Sequence, residues 1–319
     1  ADNYEPSPAV GTSARPAAEN RHARRPIGRR QDYRRRAPNG RVDALALVKL
    51  RIRHDTIYRY RRAVSLQPHR LMLVPRGSHD LTILSSSLDL SPKADMAWAQ
   101  DVFGNLVAAA SFTVPTDMLA ISSEVLVEQR ALAWPIYRIA PGAHAYPFGY
   151  SEGEMADLGA LLHPQHDDPE GVLATWARSF VLGSAVDTLS LLKDINAGIA
   201  DAVAYRTRDE EGTQSPLETL SIASGSCRDM SALFIDAARH LGFGARAVSG
   251  YLHDPDVSPD DAGSTHAWAE IYLPAAGWIA FDPTHRRVGS ANLIPVAVGR
   301  CNTQIMPVTG GYAGAAEDF

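Results

Sequence analysis

The order of apolar and polar positions divides the chain into stretches of different period. From Ala44 to Arg130, apolar and β-branched segments alternate with turn residues: Val48–Tyr60, His69–Val74, Leu81–Leu90, Met96–Val102, Leu106–Val114 and Ile121–Glu128. Turns are marked at Pro75-Arg76-Gly77-Ser78, Ser91-Pro92, Phe103-Gly104-Asn105 and Pro115-Thr116-Asp117. Short strands at this spacing predict an all-β sandwich or small barrel over residues 44–130, the sandwich being preferred, with Asp101–Leu106 as a hairpin turn. Residues 131–165, with Pro135, Pro141, Pro147 and Pro164, predict a linker.

Beyond the linker the period becomes helical. Val172, Leu173, Trp176 and Phe180 share one face, as do Leu191, Leu192, Ile195, Ile199 and Val203. Ser215-Pro216-Leu217-Glu218 is a helix start, with Ser as N-cap, Pro at the first helical position and Glu at the third. A further helix opens at Ser226, takes Asp229 as its capping-box acid, carries the stripe Met230, Leu233, Phe234, Ala237, Ala238, Leu241, and stops at Gly242. Strands are predicted at Ala245–His253, His266–Leu273 and Trp278–Phe281, the last two joined by a hairpin at Pro274–Gly277. A helix feeding an antiparallel sheet makes residues 166–310 an α+β core, followed by a tail at 311–319.

Charge changes the picture at the N-terminus. Residues 1–42 hold ten arginines against four acids, a net of +6, so the rest of the chain carries −11 of the total −5. With no apolar period, residues 1–43 are expected to be a disordered arm, a solvated tail whose alternative role is weak anion binding. An acidic body argues against nucleic-acid binding by the folded part, because phosphate contacts need clustered Lys and Arg. No apolar run is long enough for a membrane span, and no secretory signal is visible, so a cytoplasmic location is expected. Two cysteines make no disulfide framework, and without a Cys-x-x-Cys pair no structural metal or cofactor is expected.

The candidate chemistry centres on Cys227. It stands in the first turn of a capped helix, where free N–H groups and the helix dipole favour a thiolate. Free cysteines are more often buried and inert, and spacing alone leaves both readings open. His266 begins one strand of the hairpin and Asp282 lies just past the end of the other, so the hairpin brings them together at its open end. A histidine needs such a carboxylate to fix its tautomer and stabilise its imidazolium. Cys227, His266 and Asp282 thus form a nucleophile, base and orienter in that order. Cys301 is expected to be an inert thiol and Gln214 a structural polar contact rather than an oxyanion donor.

The stretches Ser221–Met230, Ala245–Leu252, Thr265–Leu273 and Gly277–Thr284, taken in order, resemble the bacterial transglutaminase-like superfamily over roughly residues 170–310. The strands before them resemble the β-rich domain that precedes this core in bacterial members. The resemblance implies a papain-like core, Cys227, His266 and Asp282 as its triad, and acyl transfer on carboxamide or peptide bonds of a protein or peptide substrate through a thioester. This chain has His285 where the family often has Asn, and Cys301-Asn302 where it often has Asp-Tyr; both positions bear on the substrate pocket. Two readings from other classes stand beside the enzyme: a non-catalytic protein-binding module that keeps the fold, and an adaptor working through its basic arm.

Overall fold

The structure, a computed structural model, describes residues 48–208, 210–253 and 265–314. The arm expected over 1–43 lies outside the described residues. The first strands are β1 (Val48–Leu66), β2 (His69–Leu71), β3 (Leu81–Ser91), β4 (Asp95–Gln100), β5 (Leu106–Ser111) and β6 (Thr116–Gln129). Strict alternation drives β6: Leu119, Ile121, Ser123, Val125, Val127 and Gln129 are buried, while the residues between them are not. β1, β6 and β3 form one antiparallel sheet, and β2, β5 and β4 another. Between the sheets lie Val64, Leu71, Ala108, Ala110, Leu119 and Ile121, the inner face of a sandwich.

Residues 131–165 do more than link. They hold a 3₁₀ turn at Pro141–Ala143, strand β7 (Ala145–Tyr146), which pairs with β8 (Val186–Asp187), helix α1 (Glu152–Leu158) and a second 3₁₀ turn at Gly159–Leu162. Ser151 and Glu154 form a reciprocal capping box on α1. Tyr146 stacks on Phe243 at 5.3 Å, and Tyr150 Oη donates to Tyr272 O at 2.8 Å. The segment was expected to be a plain linker because its anchors are isolated aromatics among prolines, which show no period.

The core opens with α2 (Val172–Arg178), α3 (Thr188–Ala202) and α4 (Pro216–Ile222), where the Ser215 hydroxyl accepts from Glu218 N–H. Two short parallel strands, β9 (Ala204–Tyr205) and β10 (Ser224–Gly225), lead into α5 (Cys227–His240). α5 packs its apolar stripe on a five-stranded antiparallel sheet of order β14-β13-β12-β11-β15. Those strands are β11 (Ala245–Leu252), β12 (Thr265–Leu273), β13 (Gly277–Asp282), β14 (Arg287–Val288) and β15 (Leu293–Gly299). Phe234 of α5 stacks on Phe281 of β13 at 5.3 Å. β15 was not expected as a strand, since Pro295 interrupts its apolar run; it sits at the sheet edge, where a missing N–H is tolerated. A Cβ at Gly250 would lie 2.1 Å from Ile294 O, so only glycine lets β11 come this close to β15.

The two halves share one apolar core. Val125 and Val127 of β6, with Met72 and Leu81, pack into the cluster that holds α5 and the central sheet. Asn105, in the β4–β5 turn, pairs both amide atoms with Val298 of β15, at 2.7 and 2.8 Å. The chain then returns to the sandwich: β16 (Val308–Thr309) pairs with β2 and β17 (Tyr312–Ala313) with β1, so the region read as a tail from 311 starts with a sheet strand. None of the described helices is long and apolar enough to cross a membrane.

Candidate active site

α5 begins where the chain is most tightly held. Gly225 pairs in β10 beside Tyr205; a Cβ there would meet Asp229 Cβ at 3.0 Å and Gln214 Oε1 at 3.3 Å. Ser226 caps the helix, its N–H and hydroxyl donating to Asp229 Oδ2 at 2.8 and 2.7 Å. Asp229 is fully buried and also accepts from Arg208 Nη1 at 2.8 and 2.9 Å and from Gln214 N–H at 2.8 Å. Burial would raise its pKa, but the Ser226, Gln214 and Arg208 hydrogen bonds outweigh that and lower it. This frame places Cys227 at the first helical position, where backbone N–H groups have no carbonyl partner within the helix. Ser231 Oγ lies 2.6 Å from Cys227 O and 3.0 Å from Ala267 O, tying the first turn of α5 to β12.

His266 stands at the start of β12, buried, its ring stacked beside Trp268. Its Nε2 lies 2.9 Å from Asp282 Oδ2, and the Cys227 side chain is its other hydrogen-bond partner. A carboxylate only accepts, so Nε2 carries a proton and Nδ1 is the ring atom left for the thiol. Burial alone would lower the His266 pKa; the hydrogen bonds to Asp282 and Cys227, with their negative charge, outweigh it and push the pKa up to about 9. Asp282 ends β13, whose register sets Phe281 opposite Ala269. It is fully buried. Burial would raise its pKa too, yet the hydrogen bonds and charge of His266 and His285 hold it well below the usual carboxylate range.

Cys227, His266 and Asp282, three distant positions in the sequence, are therefore linked in series through His266. The other candidates stand elsewhere. Gln214 Oε1 accepts from Thr219 Oγ1 at 3.3 Å, a supporting contact below the helix start. Cys301 Sγ sits 3.1 Å from Thr303 Oγ1 and lines a small cavity of about 170 Å³ farther along α5, with His166, Asp236 and Arg239.

One residue in the site was read only as a departure in the substrate pocket. His285 Nδ1 lies 2.8 Å from Asp282 Oδ2, the oxygen that also takes His266. The signal was present in Asp282-Pro-Thr-His285: Asp282 Oδ1 accepts from Thr284 N–H at 3.0 Å, a side-chain turn that swings the residue three positions on back over the carboxylate. His266, Asp282 and His285 offer possible metal ligand atoms within 4.8 Å of one another, but the facing atoms are already spent on hydrogen bonds among the three.

Comparison with known proteins adds a frame to this geometry. Residues 50–128 match the bacterial transglutaminase-like N-terminal region, and residues 174–283 match the transglutaminase-like superfamily, a span that contains Cys227, His266 and Asp282. The chain is 26% identical over 274 residues to the uncharacterized protein Rv2569c of Mycobacterium tuberculosis, covering 82% of this chain and 87% of that one. It is 25% identical over 285 residues to the uncharacterized protein ML0607 of Mycobacterium leprae, covering 83% and 94%. A crystal structure described as "a Putative Cysteine Protease from Cytophaga hutchinsonii" superposes with TM-score 0.66 at 21% identity, over 84% of this chain and 88% of that one, and shares the fold.

Proposed function

The chain belongs to the transglutaminase-like superfamily, and from that premise we propose that it is a cysteine-dependent acyl-transfer enzyme acting on carboxamide or peptide bonds of a protein or peptide. The observation that carries this reading is the buried His266, set between the Cys227 side chain and Asp282 at the N-terminus of a helix. Cys227 Sγ, as thiolate, attacks the carbonyl carbon. The oxyanion that forms is stabilised by N–H groups of the first turn of α5, which are fixed before reaction. His266, protonated at neutral pH, gives its proton to the departing amine as the C–N bond breaks, leaving a thioester on Cys227. The now neutral His266 then takes a proton from the incoming amine or water, which attacks the thioester and releases the thiolate. Asp282 keeps His266 in the Nε2–H tautomer and supports the imidazolium without reacting. No metal or organic cofactor enters this sequence.

The test is intact mass and peptide mapping after iodoacetamide at neutral pH, followed by incubation with a glutamine peptide and a tagged primary amine. One fast adduct on Cys227, absent in Cys227→Ser, supports the enzyme. Tag incorporation marks transamidation, and ammonia release or chain cleavage without the tag marks hydrolysis. A Cys227 no more reactive than a free thiol, with no product of either kind, would turn the reading to a binding module.

A further inference from the structure

We propose that His285 is a positioning residue of this site, a second imidazole that locks the Asp282 carboxylate and through it orients His266. The proposal rests on the catalytic reading of Cys227, His266 and Asp282 for its kinetic consequence, but its geometry stands apart from that reading. Asp282 Oδ2 receives two ring nitrogens, His266 Nε2 at 2.9 Å and His285 Nδ1 at 2.8 Å. Asp282 Oδ1 takes the Thr284 N–H at 3.0 Å and the His285 N–H at 3.4 Å. The two rings meet edge to face with centroids 5.1 Å apart.

Both imidazoles must donate, because an ionised carboxylate has no proton to give. His285 is therefore an Nδ1–H donor. An oxygen gripped from two directions cannot swing about the Cβ–Cγ bond, so Asp282 presents one fixed lone pair to His266. Asp282 is fully buried, and among the described residues its side-chain partners are two histidines with no Arg or Lys, whereas buried Asp229 has Arg208 and buried Asp236 has Arg239 as well as His166. The imidazoles thus carry the task of holding this carboxylate in place. The His285 side chain is 32% exposed, so it can be replaced without opening the core.

Substitution by Asn and by Leu separates donation from packing. The Asn amide nitrogen branches from Cγ as the His Nδ1 does and keeps a donor; Leu has the same branching and none. The experiment uses the full chain with 15N-labelled histidine, following the downfield imidazole N–H protons alongside iodoacetamide alkylation of Cys227 and turnover of a glutamine peptide. Among the hydrogen-bonded imidazole N–H signals of the wild type, the two assigned to His266 Nε2 and His285 Nδ1 should vanish in Asp282→Ala. His285→Asn should keep the His266 signal and stay within about threefold of wild-type alkylation, whereas His285→Leu should broaden that signal and lower alkylation and kcat about tenfold at unchanged KM, the scale of losing an outer-shell partner. A sharp, unshifted His266 signal with unchanged rates in His285→Leu overturns the proposal. So do equal losses in His285→Asn and His285→Leu. If wild-type Cys227 proves unreactive, the acyl-transfer reading fails on its own, and the His266 signal in the Asn and Leu variants still decides whether His285 holds Asp282.

Discussion

The sandwich and the core are built on the same period-two strands, yet they bury different chemistry. Between the sandwich sheets lie Leu119, Ile121, Leu71, Ala108 and Ala110, apolar side chains that need no hydrogen-bond partner. Around α5 the chain buries Asp229, Asp236, Arg239, His266 and Asp282. Each of those groups must find partners or cost several kcal/mol. The partners sort them by role: Asp229 takes Arg208, and Asp236 takes Arg239 together with His166, so each has a permanent cation beside its carboxylate. Asp282 takes two histidines and no permanent cation among the described residues, so its partners are rings that can carry or release a proton. Chemistry is expected where a buried charge is matched only by groups able to move a proton.

The largest effect that would break this contrast is on activity. Cys227→Ala should abolish acyl-enzyme formation, because no other group in the site can carry the thioester. His266→Ala should leave a residual rate from the helix-start N–H groups, and Asp282→Ala should cost less, since it orients and does not react. The double variant should match His266→Ala alone, because an orienter without a base has nothing to orient. Alkylation and peptide turnover across the four variants check this. Additive losses for His266 and Asp282, or turnover surviving in Cys227→Ala, would remove the three residues from a common unit.

The next effect is on stability and compares the halves directly. Asp229→Ala strands the mostly buried Arg208 and removes the acceptor for Ser226 and Gln214, so it should destabilise by about 3–5 kcal/mol. Ile121→Ala in the sandwich leaves an apolar cavity and should cost about 2–5 kcal/mol. Their difference is in the site: Ile121→Ala should leave Cys227 alkylation per folded molecule unchanged, and Asp229→Ala should slow it by loosening the start of α5. Urea unfolding paired with alkylation rates tests both, and equal slowing in the two variants would show that the sandwich tunes the site.

A third effect comes from protons held at the site. The His266 pKa is raised from its ordinary 6.5 to about 9 on folding, so its contribution is complete below pH 6.5 and lost as pH rises through about 9. The Asp282 pKa is lowered, so its contribution is present above the ordinary carboxylate pKa and lost only in strong acid. Stability should therefore decline between pH 6.5 and 9 by up to about 3 kcal/mol. That decline should be absent in His266→Gln when both are followed by urea unfolding. A variant that loses as much stability over this range as the wild type would place the alkaline loss elsewhere.

Much of this could be read from local pattern. The cap of α5 at Ser226 and Asp229, its apolar stripe and the hairpin at 274–277 are properties of adjacent residues, and each stands where its spacing put it, while the strand read over Ile121–Glu128 starts earlier, at Thr116. What escaped depends on distant neighbours. Alternation marks Val125 and Val127 as buried without saying that they pack against the α5 core while Leu119 and Ile121 pack in the sandwich. β15 hides behind Pro295 because only its edge position makes the proline acceptable. Tyr146 and Tyr150 anchor 131–165 through single contacts that leave no period. His285 was visible as an unusual residue, but its partner became evident only once the turn after β13 was folded.

The smallest predicted effect closes the contrast from the sandwich side. Arg51 Nη1 reaches Glu124 Oε1 at 3.3 Å across β1 and β6, but these side chains are 71% and 50% exposed. Water solvates both charges in either state, and holding two long side chains together costs entropy that offsets the weak attraction. Arg51→Ala should therefore change unfolding free energy by no more than about 0.5 kcal/mol, and adding salt should move wild type and variant together. The Arg208 and Asp229 pair has the same chemistry, with the carboxylate wholly buried and the guanidinium mostly so, and there loss of one partner leaves the other in a place water cannot reach. A loss above about 1 kcal/mol for Arg51→Ala in urea unfolding would mean that the sandwich, too, depends on its charges, and burial would no longer explain why the two halves differ.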